Sequence, residues 1–67
     1  MNTIGKNRKK LNLSVTDLSK ELSTSPSMIE SWELGINMPE LDQLIKMVEI
    51  FGKDADEILF GEVRSNR

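Results

Sequence analysis

The chain has 67 residues with no cysteine and no histidine, which excludes disulfides, the usual zinc sites and an imidazole base. With 37% hydrophobic and 30% charged residues, it is expected to fold as one small all-α domain, residues 1–67, near the lower size limit for a chain without staples. Its net charge of −2 departs from the basic balance of many nucleic-acid-binding domains.

The charge is nevertheless unevenly spread. Lys6, Arg8, Lys9 and Lys10 cluster near the start, Arg64 and Arg67 stand at the end, and no Lys or Arg occurs between Glu21 and Ile45. Such a bipolar domain can hold phosphate on one face, or simply carry a solvated basic helix. No apolar run approaches the roughly 18 residues of a membrane span, and no signal-peptide core is present. A cytoplasmic location is the resulting expectation. The starting Met and the polar end "RSNR" suggest a complete chain rather than a piece of a longer regulator.

In chain order, a first helix is expected over about residues 3–11, with Ile4, Arg8 and Leu11 on one face. Asn12 suits the left-handed residue that ends it. Ser14 then reads as an N-cap with Asp17 three residues on, a capping box opening a second helix to about residue 22 with Leu18 and Leu22 inward. After "STS", Ser25 caps a third helix over about residues 25–34, and Pro26 loses no hydrogen bond at its first position. Ile29 and Trp32 form its buried stripe, and Gly35 ends it. The loop "GINMPE" leads to a fourth helix whose apolar course is Leu41, Leu44, Ile45, Val48 and Phe51, stopped by Gly52. Asp54, with Glu57 three residues on, is expected to cap a short fifth helix containing Ile58, Leu59 and Phe60. Residues 62–67 are expected to form a flexible tail.

Two short helices joined by about three residues fit a helix-turn-helix, in which the second helix is the reader. The stretch "LSVTDLSKELSTSPSMIESWELG" resembles the helix-turn-helix, here about residues 14–34, of the lambda-repressor-like (Cro/repressor, or XRE) family. Leu13, Ser14, Leu18, Leu22, Ser25, Ile29, Trp32, Glu33 and Gly35 stand in register with the family pattern. "PELDQLIKMVEIFGKDADEILFGE" resembles the family's fourth and fifth helices, so the likeness covers nearly the whole chain. The resemblance implies a compact five-helix fold and a DNA-binding transcriptional regulator. It also implies that Arg8 pairs with Glu33, tying the first helix to the third. An Arg on an apolar face needs a carboxylate in any case.

The reader itself departs from the family. Val15 replaces the usual Gln at the head of the second helix, Pro26 and Ser31 stand where Arg, Gln or Lys are frequent, and Ser23 replaces the turn glycine. Guanine is best read by Arg or Lys and adenine by Asn or Gln. The face offered by Ser25, Ser27, Met28 and Ser31, with Pro26 shaping its approach, supplies hydroxyls and a thioether instead. These residues are the candidates for base contacts. Lys6, Lys9, Lys10, Lys20 and Asn37 are candidates for the DNA backbone, although Asn37 also reads as a turn residue or a base-edge contact. Glu30 can accept from a cytosine amino group or, pointing outward, repel phosphate.

No nucleophile–base pair, phosphate loop or metal-ligand spacing supports an enzyme, and no cofactor is expected. Two partners are weighed: double-stranded DNA, bound by a homodimer for which Leu59, Phe60 and Val63 are the candidate surface, with completion of the core as the competing role for the same residues, and a protein. In the second case the fold acts as an antagonist or antirepressor through its acidic reader face.

Overall fold

The computed structural model describes residues 2–61. They form five helices: α1 (Ile4–Lys10), α2 (Val15–Glu21), α3 (Pro26–Glu33), α4 (Leu41–Phe51) and α5 (Ala55–Phe60). The turn chemistry explains most of the boundaries. Asn12 and Ser23 take positive φ angles of 58° and 54°, so Ser23 accepts the left-handed conformation that a glycine would adopt at lower cost. Ser14 accepts from the Asp17 N–H at 2.9 Å, while the Asp17 carboxylate accepts from the Ser14 N–H at 3.0 Å, a complete capping box.

One expected cap does not form. Asp54 makes no side-chain cap to α5. Its partner in the expected box, Glu57, instead lies 3.8 Å from Lys53 and gives its carbonyl to Thr3.

The core is a single cluster of Ile4, Leu18, Leu22, Ile29, Trp32, Met47, Phe51 and Ile58, with Leu13, Val15, Leu44, Val48 and Ile50 packed against it. Every helix therefore contributes at least one buried anchor. Two expected apolar faces require correction. Leu11 is 47% exposed, because α1 stops at Lys10 and the chain turns away through Asn12; Asn7 takes the buried place beside Ile4 and Arg8. In α4, Leu41 and Ile45 are 72% and 51% exposed while Met47 is fully buried. The inward stripe is thus Leu44, Met47, Val48 and Phe51, which follows the same i, i+3, i+4, i+7 rule from a different starting residue.

The N-terminal residues close the bundle. Asn2 Nδ2 donates to the Trp32 carbonyl at 2.7 Å, and Asn2 Oδ1 accepts from the Ile4 N–H at 3.1 Å. One side chain therefore serves the start of α1 and the end of α3. Thr3 N–H donates to the Ile58 carbonyl at 2.8 Å, and Thr3 Oγ1 to the Glu57 carbonyl at 3.0 Å. Among the described residues, no buried side-chain nitrogen or oxygen lacks a hydrogen-bond partner, as a well-specified polar interior requires. No helix among them is long and apolar enough to cross a membrane.

Candidate nucleic-acid interface

α2 and α3 pack on each other through Leu18, Leu22, Ile29 and Trp32. Burial of Ile29 and Trp32 turns the remaining face of α3 outward, where Pro26, Ser27, Met28 and Glu30 are exposed and Ser31 is half-buried. Ser25 sits in extended geometry as the N-cap, its Oγ accepting from the Met28 N–H at 3.2 Å and lying 3.2 Å from Ser27 Oγ. Pro26 occupies the first turn, where its missing N–H costs nothing.

The polar groups of this face are linked. Ser31 Oγ donates to the Met28 carbonyl at 2.8 Å and lies 3.5 Å from Met28 Sδ. Asn37, from the loop after α3, donates its Nδ2 to Ser31 Oγ at 3.2 Å. Met28 and Asn37 also line an open cleft of about 340 Å³ with Thr24, Trp32, Met38, Glu40 and Gln43. Thr24 and Gln43 were not legible as site residues. They come from the turn before α3 and from α4, and only the tertiary fold brings them to one cleft.

A side-on ion pair positions α3. Arg8 Nε donates to Glu33 Oε2 at 2.7 Å and Nη2 to Glu33 Oε1 at 3.2 Å, while Nη1 donates to the Leu13 carbonyl at 3.0 Å. The side chains are 11% and 18% exposed. The hydrogen bonds that Arg8 donates to Glu33 raise the Arg8 pKa above its ordinary value, and outweigh the opposite effect of burial. Gly5 belongs to this arrangement: a Cβ there would lie 2.9 Å from Glu33 Oε1 and 3.1 Å from Glu33 Cδ. A glycine inside a predicted helix carries no signal of such a neighbour 28 positions away in the chain (33 − 5).

The candidate phosphate-binding lysines are elsewhere. Lys6, Lys9 and Lys10 lie exposed on α1 and Lys20 in the last turn of α2. Lys9, Lys10 and Lys20 also suit the negative end of their helices. Among the described residues, no hydrogen bond or ion pair joins these lysines to the polar face of α3. Val15, where the family commonly has a DNA-reaching Gln, is half-buried against the core. Phe60 is 55% exposed and Leu59 half-buried, whereas Val63 and the expected tail lie outside the described residues. No group of three or more metal-type ligands is brought together among the described residues.

No curated protein and no solved structure matches the chain. The helix-turn-helix family HTH_3 matches residues 4–58, a span that contains all the core anchors and ends at Ile58. With five helices, a capped second helix, and a third helix whose polar face is turned to solvent, the chain belongs to this XRE-type helix-turn-helix family of DNA-binding domains.

Proposed function

We propose that the protein is a sequence-specific transcriptional regulator of the Cro/repressor type, cytoplasmic and non-enzymatic, that binds double-stranded DNA as a homodimer with α3 in the major groove. The observation that carries this reading is the division of α3 into two faces. Ile29 and Trp32 are locked in the core, and the Arg8–Glu33 pair fixes the end of the helix. Ser25, Ser27, Met28 and Ser31, with Pro26, then form a rigid, small-residue surface suited to close approach to base edges. Lys6, Lys9, Lys10 and Lys20 supply phosphate contacts from the neighbouring helices.

A monomer of this size contacts too little DNA for a specific site, and two-fold pairing places two readers about one turn apart. Apolar exposure supports pairing by copies of this chain. Residues 34–39 carry no charge in a chain that is 30% charged, and Leu34, Ile36, Met38, Leu41, Ile45 and Phe60 are each at least half exposed. The surface available for pairing is therefore wider than the fifth helix alone.

A titration with random duplex DNA at about 50 mM and about 200 mM salt tests the reading. With roughly three to five phosphates neutralised per subunit, and so roughly six to ten per dimer, affinity should fall by about 10³- to 10⁵-fold between the two conditions. Absence of binding at the lower salt would refute it.

One observation favours a second reading. Glu30 is exposed on α3, the segment between Glu21 and Ile45 has no cation of its own, and Arg8, which lies within reach of its charge, is already paired with Glu33. An antagonist or antirepressor would use that acidic face against a basic protein surface. Glu30→Lys separates the two readings: it should strengthen non-specific DNA binding in the first and abolish the protein interaction in the second.

A further inference from the structure

Asn37 lies beyond the end of α3 yet folds back onto it. Its N–H approaches the Ser31 carbonyl at 3.4 Å, where the Ile36 N–H also donates at 2.9 Å. Its side-chain Nδ2 donates to Ser31 Oγ at 3.2 Å, and Ser31 Oγ donates in turn to the Met28 carbonyl at 2.8 Å. A serine hydroxyl has one proton and two lone pairs. Here the proton is committed inside the helix and one lone pair is occupied by Asn37. The relay therefore has one direction, from Asn37 through Ser31 to Met28. It leaves the Asn37 amide with Oδ1 and its second N–H facing solvent, on an exposed side chain that lines the same cleft as Met28.

We propose that Asn37 is the base-discriminating residue of this surface, that the base it reads is adenine, and that Ser31 is the positioning residue that holds its amide. The assignment rests on the DNA-binding reading above. Adenine presents the N7 acceptor and the N6–H donor side by side in the major groove, and an amide edge with one free donor and one free acceptor is their complement. The rest of the surface lacks such a pair. The serine hydroxyls rotate, Met28 has only a weak acceptor, Glu30 only accepts, and Arg and Lys are absent from the segment. Gln43 is the other amide in the cleft, and its Oε1 is engaged by the Glu40 N–H at 3.1 Å. Asn37 thus enters from the loop as a pre-oriented contact, with less side-chain freedom to lose on binding than an untethered amide.

The experiment is site selection from a random duplex pool with the wild-type protein, Asn37→Ala, Ser31→Ala and the double variant. Helical content and salt dependence are recorded for each. The wild type should select an adenine at one position of each half-site. Asn37→Ala should erase that preference and weaken the selected site by on the order of tenfold to a hundredfold, with non-specific binding and the salt slope unchanged. Ser31→Ala should blur the same position less severely, and should add nothing in the Asn37→Ala background. A uniform loss across all sequences with a shallower salt slope would make Asn37 a phosphate contact and overturn the assignment. An unchanged preference would make it a turn residue and overturn it equally. Absence of wild-type binding at about 50 mM salt would overturn the regulator reading and this assignment together. Bound DNA that is indifferent to Asn37 overturns only the assignment.

Discussion

At the scale of single residues, the Arg8–Glu33 pair and the glycine beside it form one unit. Removing one member of a mostly buried pair strands the other, so Glu33→Ala should cost about 3–5 kcal/mol in chemical denaturation. The double change Arg8→Met with Glu33→Leu should cost less than the sum of the single changes. Gly5→Ala is the sharper test. In an open helix it should stabilise by about 1 kcal/mol, but here the added methyl meets a carboxylate tethered by two hydrogen bonds from Arg8. The variant should melt below the wild type. That Arg8 needs a carboxylate was visible in the sequence, because an arginine on an apolar face demands a partner; that the partner is Glu33 came from the family resemblance. Gly5, Asn2 and Met47 were not, since each answers to atoms brought close only by the tertiary fold.

At the scale of elements, caps were easier to read than faces. The Ser14–Asp17 box follows from two residues at fixed spacing, and the Ser14 N–H, followed by the Ser14 side chain, holds the Asp17 carboxyl below the ordinary aspartate value. A depressed carboxyl stabilises the fold above the ordinary aspartate pKa, and that stability is lost as pH falls through the lowered value. Thermal melts should therefore show wild type and Asp17→Asn converging as the solution is taken from about pH 6 to about pH 2. A constant difference would assign the residue another role. The faces of α4 were less legible, because Leu41, Ile45 and Met47 are all apolar and periodicity alone does not choose among overlapping stripes. The structure chooses Met47, fully buried. Met47→Ala should cost about 2–5 kcal/mol. Leu41→Ser and Ile45→Ser should each change stability by less than about 0.5 kcal/mol in a dilute monomer. If the outward face pairs with a second copy, the same two changes should shift sedimentation from dimer to monomer.

At the scale of the molecule, charge is segregated: cations gather on α1 and at the end of α2, while α3 and the loop after it have none. Under the proposed function, electrostatic attraction and base reading fall on different surfaces, so a net-acidic chain can keep a coherent DNA-binding layout. The five-helix order was readable because each helix carries its own start or stop signal. The seam that closes it was not. Thr3 bonds to Glu57 and Ile58, partners 54 and 55 positions away. During synthesis the beginning of the chain must wait for almost the whole of it to leave the ribosome before its amide and hydroxyl are satisfied. The helix-turn-helix can collapse early, but the last turn of α3, held by Asn2 through the Trp32 carbonyl, is finished only when both ends meet. Damage to α5 is therefore expected to loosen α3 by way of the N-terminus as well as through the shared core.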